Sequence, residues 1–204
     1  MNRVRAIFAT GSNDQKFRAL RDLMVAIRQG NAPPLTPQEV GSACDAVDRP
    51  DGVGPESPLK MVWTLLLTVP AHDRLRELAH RQLANPSALH RGPAFTYLTS
   101  RYPAEAEFLL SQYRGDADPE LLVAIGWYLE PRQDGSSVDA WVDALRYPMT
   151  RDVFDEALLA ILNTAEERHV RRLKDVARHS PYRPQVLELT SEVKDRIRRR
   201  GSRG

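Results

Sequence analysis

The sequence predicts an all-α fold, a right-handed α-solenoid of paired antiparallel helices. Three observations predict it. Ser57-Pro58, Asn85-Pro86, Asp118-Pro119, Thr150-Arg151 and Ser180-Pro181 recur at spacings of 28, 33, 32 and 30 residues. Each sets a good N-cap before a helix start, and in four of the five that start is proline. The cap oxygen satisfies an orphan N–H, and proline has none to leave orphaned. Two apolar helical patterns follow each mark, and a unit of roughly 30–35 residues holding two helices is the signature of a solenoid.

The first helix reads from Asn13 as its cap to Gln29, with Gly30 as its stop. Phe17, Leu20, Leu23, Met24 and Ile27 form its apolar stripe. Prolines crowd the stretch from Gly30 to Ser57, where Thr36 caps a short helix over Pro37–Val47. Residues 48–56 read as a flexible loop. Pro58 to Val69 is apolar almost all round, and Pro70 restarts the chain into a helix striped by Leu75, Leu78, Ala79 and Leu83. Pro86 opens the next unit, with Gly92-Pro93 kinking its first helix. Pro103 opens that helix's partner, striped by Ala106, Phe108, Leu109, Leu110 and Tyr113.

From Pro119, Leu121 to Leu129 is apolar on every face, so it must be covered on both sides. Its partner carries Val138, Trp141, Val142 and Leu145, and the helix opened by Thr150 carries Val153, Phe154, Ala157, Leu158, Ile161 and Leu162. Val170, Leu173, Val176 and Ala177 mark the next helix. The last has a narrow stripe, Val186, Leu189, Val193 and Ile197, as a terminal cap needs. Only the first ten residues admit a strand pattern. The domain reading is an N-terminal cap over 1–56, a repeat array over 57–200 and a disordered tail over 201–204.

This layout resembles the HEAT-like and armadillo-like α-solenoid superfamily over roughly residues 57–200, in its period, paired helices and proline punctuation. The resemblance implies a curved surface that binds another macromolecule. Members of that superfamily include scaffolds, inhibitors, transport receptors and a few enzymes.

Composition sets bounds on function. Of 204 residues, 42% are apolar and 27% charged, and no apolar run approaches the roughly 20 residues that span a bilayer. The N-terminus lacks the apolar stretch of a secretory signal, and the single Cys44 fits a reducing compartment, so a cytoplasmic protein is expected. The net charge of +2 conceals segregation: residues 104–160 hold 4 basic and 12 acidic residues, and residues 161–204 hold 12 basic and 6 acidic.

Catalytic chemistry finds little support. His72, His80, His90, His169 and His179 make no i, i+4 metal pair and read as surface histidines, so no metal or cofactor is expected. There is no nucleophile elbow and no phosphate loop. Gly11-Ser12-Asn13 and Asp134-Gly135-Ser136 read as plain caps. Trp63, Trp127 and Trp141 read as core, and Tyr97, Tyr113, Tyr128 and Tyr147 as helix-end tyrosines with wet hydroxyls. Some HEAT-like proteins are DNA glycosylases with an aromatic and an aspartate in a basic cleft. Trp141 with Asp139 or Asp143 is similar, but here the surrounding segment is acidic and repels phosphate.

The acidic stretch is the stronger signal. Asp116, Asp118 and Glu120 cluster at one helix start, and Asp152, Asp155 and Glu156 at another. The helix macrodipole accounts for part of this. It does not account for Asp139 and Asp143, a like-charge i, i+4 pair that burdens its own helix. The expected function is non-catalytic recognition of a basic protein by these acids, of inhibitor or immunity type against a basic effector or toxin, with a chain monomeric when free. The alternative is nucleic-acid binding through Arg168, Arg171, Arg172, Lys174 and Arg178, one basic helix with few stacking aromatics.

Overall fold

A computed structural model describes residues 2–9, 11–48, 58–85 and 90–201. Among the described residues there are twelve α-helices, one 3-10 turn and no strand. The all-α expectation holds. Ser57, Pro86 and most of the 48–56 loop and 201–204 tail lie outside the described residues.

The N-terminal residues form a helix, α1 (Arg3–Ala9), where the sequence pattern admits a strand. Seven residues are too few for a stable isolated helix, so its support comes from elsewhere. Glu39 accepts from the Arg3 backbone N–H at 3.0 Å and from Nε and Nη2 at 2.7 Å each. The same guanidinium donates to the carbonyls of Pro33 and Pro34 at 3.0 Å.

Helix α2 (Asn13–Arg28) is capped by Ser12, one residue before the expected Asn13. Ser12 Oγ accepts from the Gln15 N–H, and Gln15 Oε1 accepts from the Ser12 N–H, a reciprocal box that Asn13 cannot form. Gly30 follows in the left-handed region at φ +74°, the stop expected of it. Helix α3 (Pro37–Val47) starts as predicted, with Thr36 and Glu39 capping each other.

Helix α4 (Pro58–Leu66) ends three residues before Val69, and α5 (Asp73–Ala84) begins three after Pro70. The intervening turn is held from α6 (Arg91–Arg101) and the residue after it. Arg101 donates to the carbonyls of Val69 at 3.0 Å and Leu67 at 2.9 Å. The Tyr97 hydroxyl donates to the Pro70 carbonyl at 3.0 Å, and the His72 N–H donates to the hydroxyls of Tyr97 and Tyr102. Tyr97 is therefore fully buried with its hydroxyl on backbone, not wet at a helix end. Helix α6 starts at Arg91, five residues after Pro86, so Pro93 sits in the first turn and produces no kink.

The remaining helices are α7 (Pro103–Tyr113), α8 (Pro119–Leu129), α9 (Ser136–Ala144), α10 (Arg151–Thr164), α11 (Glu167–Ala177) and α12 (Arg183–Gly201). Ser180-Pro181 lies two residues before α12 instead of capping it. The Ser180 hydroxyl donates to the Leu145 carbonyl at 2.6 Å and accepts from the Tyr182 N–H.

The chain divides into two compact units, residues 1–106 and 107–204, within α7. Helices α2 and α3 pack on α4 in the first unit, so the N-terminal helices share a unit with residues 58–106. In that unit α1 also packs on α2 and α3, α3 on α5, and α6 on α4 and α5. In the second, α8 packs on α9 and α10, α9 on α10 and α11, and α12 on α10 and α11. Arg74–Asp45, Arg76–Glu105, Trp127–Glu156 and Arg172–Asp143 each join residues 29 apart.

The core of the second unit is built on Trp141, Val142, Ala157, Ile161, Leu173 and Val186, all essentially solvent-free. Trp63 is buried in the first unit. Trp127 is not core: it is 42% exposed. At the preceding Gly126 a Cβ would lie 2.1 Å from the Trp141 indole nitrogen. Trp141 fills that place and donates to the Val123 carbonyl at 3.2 Å. Trp127 lies edge-on against its outer side, ring centroids 5.0 Å apart. Phe108, expected in the stripe of α7, also points to solvent.

Candidate functional site

The acids that the sequence groups together do different jobs in the structure. Asp116 and Asp118 belong to the start of α8: Asp116 accepts from the Asp118 N–H, and Asp118 from the N–H groups of Glu120 and Leu121. Capping of this kind is what the helix macrodipole favours. Glu120 is half-buried in the same first turn.

Asp139 and Asp143 lie on one face of α9, and Arg172 of α11 bridges them. Its guanidinium reaches Asp139 at 3.3 Å and also pairs with Asp143, which receives Arg146 at 3.1 Å as well. The like-charge pair that burdens α9 in isolation is thus neutralised by a residue 29 positions away. Acidic and basic segments that are separate in sequence meet here. Asp134, Asp139, Asp175, Arg146, Arg168, Arg171 and Arg172 line one mixed pocket of about 430 Å³ with His169. His169 is buried, contrary to the surface reading. Its Nδ1 accepts from the Glu166 N–H at 2.9 Å, and burial, with the charge of Arg168 second, pushes its pKa down.

The other basic candidates divide in the same way. Arg168 pairs with Glu166 at 3.0 Å and Arg178 with Asp175 at 3.4 Å. Arg171 and Lys174 line a shallow pocket with Lys194, Arg198, Val170 and Glu167. Contact with Lys174, and then its charge, holds the Lys194 pKa below the ordinary lysine value.

Asp152, Asp155 and Glu156 are exposed on the first turns of α10. Glu156 accepts from the Trp127 indole at 2.6 Å, and Asp155 meets Arg151 at 3.4 Å. Beside them runs a groove of about 660 Å³ between α10 and α12. Its floor is Phe154, Leu158, Leu162, Leu189 and Tyr182, with Leu159 standing 62% exposed at its edge. Asp155, Glu188 and Glu192 line it as acids, with Arg151 and Gln185. Sequence reasoning missed Leu159, Glu188 and Glu192. The available signal was Glu188 and Glu192 themselves, an acidic i, i+4 pair like Asp139 and Asp143.

Trp141, the aromatic of a glycosylase-like arrangement, is fully buried and offers no stacking surface. Burial raises the Cys44 thiol to about 11, so it is held as the neutral thiol. Among the described residues no group of three His, Cys, Asp or Glu is placed to hold a metal. Among them, too, no helix is long and apolar enough to cross a membrane. No family model, curated protein or solved structure matches the chain.

Proposed function

We propose that this chain is a non-catalytic protein-recognition module, an α-solenoid of HEAT-like type that binds a basic protein through the solvent side of α10. The observation that carries the reading is the neighbourhood of Asp155 and Glu156. These two exposed acids stand beside the exposed Leu159 and Trp127. Apolar anchors with adjacent charge supply affinity and orientation together, whereas acids consumed by a cap or bridged by an arginine of another helix supply neither. Among the eight acids singled out by sequence, Asp155 and Glu156 are therefore the ones assigned to the partner. A cytoplasmic inhibitor of immunity type, monomeric when free and occluding a basic effector, is the specific form of this proposal.

Affinity purification of the tagged chain from its host, after nuclease treatment and at low and high salt, tests it. The expected result is a stoichiometric basic protein that weakens with salt and is lost when Asp155 and Glu156 are both replaced by lysine. Retention by that double variant at low salt would remove α10 as the site.

Nucleic-acid binding is the second reading, favoured by the Arg171, Lys174, Lys194 and Arg198 pocket, which Glu167 alone among its lining residues opposes. It predicts salt-dependent binding of a DNA or RNA oligonucleotide that Lys174→Glu with Lys194→Glu abolishes.

A further inference from the structure

We infer that the groove between α10 and α12 receives a single amphipathic helix of a partner protein, its apolar stripe on the leucine floor and lysine or arginine over Glu188 and Glu192. The inference rests on the protein-recognition reading above and names the chemistry of the partner.

The floor sets the first requirement. Leu158 and Leu162 are only half-buried and Leu159 is 62% exposed, so α10 presents an apolar strip to solvent beside Leu189 of α12. A helix of 14 residues is about 21 Å long, room for roughly four turns of a partner helix laid along it. An extended peptide is poorly served here. Its backbone N–H and C=O groups would meet an apolar floor, and among the described residues there is no strand edge to pair with. A helix satisfies its own backbone and offers side chains at i, i+3, i+4 and i+7 to such a groove.

The charge sets the second requirement. Glu188 and Glu192 are four residues apart on α12, an arrangement that opposes its own helix. The equivalent pair on α9, Asp139 and Asp143, is bridged by Arg172 from α11. No cation among the described residues pairs with Glu188 or Glu192, and Arg151 at the groove is already turned to Asp155. Unlike Asp139 and Asp143, Glu188 and Glu192 therefore have no bridging arginine among the described residues. The missing cation, supplied by the occupant, makes the groove complementary to a basic helix. The same acids disfavour phosphate and anionic lipid.

Fluorescence anisotropy with the full chain and labelled peptides of about 18 residues tests this. The probe carries leucine at helical spacing and lysine elsewhere. One control replaces its leucines by serine, and the other replaces its lysines by glutamate. The leucine–lysine peptide is expected to bind at least about tenfold more tightly than either control. Leu159→Asp should weaken it by a similar factor. Glu188→Arg with Glu192→Arg should both weaken it and create binding of the leucine–glutamate peptide. These side chains are exposed, so the variants should keep native circular dichroism.

Equal binding of the serine control, or unchanged binding by the variants, overturns the proposal. A wild-type dimer in sedimentation that Leu159→Asp dissociates also overturns it, because the occupant is then a second copy. If a captured partner is lost with Asp155→Lys and Glu156→Lys but kept by Leu159→Asp and by the charge swap, protein recognition stands and the helix-in-groove inference fails. If no protein partner is captured, the underlying reading itself fails.

Discussion

The indole N–H of Trp127 donates to the carboxylate of Glu156 at 2.6 Å, tying the exposed side of α8 to the acidic start of α10. The ring rests edge-on against Trp141, so one face of the contact is core and the other is wet. An acid counted only as surface charge therefore has a fixed position beside an aromatic, the combination that protein interfaces favour.

Trp127 is the exposed indole of the three, since Trp63 and Trp141 are solvent-free. Trp127→Phe should shift the fluorescence emission to shorter wavelength and remove most of the acrylamide-quenchable signal. Its stability cost should stay within about 1 kcal/mol, as for an exposed contact. If quenching is unchanged, Trp127 is covered and the face described for α8 is wrong.

Gly126→Ala should be far more damaging than its single methyl suggests. The new Cβ would fall 2.1 Å from the nitrogen of Trp141, a solvent-free core side chain. A loss of about 2–4 kcal/mol in denaturant unfolding is expected, in the range of overpacked or cavity-forming core changes. Ile125→Asp, which sets a charge at a solvent-free position on the same helix, should cost several kcal/mol as well.

Glu39 makes the first unit acid-sensitive. Hydrogen bonds from Arg3 are the main reason that its carboxyl is lowered from about 4.5 to about 2, against the opposing effect of burial. Because the folded value lies below the unfolded one, the stabilisation is complete above about pH 4.5. It disappears as the pH falls toward 2. The lowering corresponds to roughly 3 kcal/mol at neutral pH. Glu39→Gln should therefore be less stable than wild type at pH 7, with the gap closing as both are titrated toward pH 2. A gap independent of pH would mean that the carboxylate charge contributes nothing.

Arg172 offers a test of the acidic pair on α9. Arg172→Ala should leave Asp139 and Asp143 facing each other and cost about 1 kcal/mol or less, since all three side chains are partly solvated. Adding Asp139→Asn should recover a few tenths of a kcal/mol, and the whole effect should shrink in 1 M salt. A loss insensitive to salt and unrelieved by Asp139→Asn would assign Arg172 a packing role instead.

Local chemistry was legible in the chain. Thr36-Pro37 and Asp118-Pro119 start helices where the sequence places them because a cap acts on N–H groups two and three residues away. Gly30 stops a helix for an equally local reason, its positive φ. The candidate site was legible only in part. Asp155 and Glu156 stood out as charges near a helix start, whereas nothing local distinguished them from Asp118, which is consumed by its own cap, or from Asp143, which is paired with a residue of another helix.

What the sequence by itself determined is the all-helical class and most of the helices, because capping, periodicity and proline act over a few residues. The tertiary structure alone decided that α1 is a helix, that α4 stops at Leu66, that His169 is buried and that Trp127 is not. It also decided which acids are already neutralised. Each of these depends on a partner that arrives from another helix, such as Glu39 for Arg3, Arg101 for the Leu67 carbonyl, Trp141 for Gly126 and Arg172 for Asp143. Periodicity records which side of a helix is apolar, and only packing determines what that side meets.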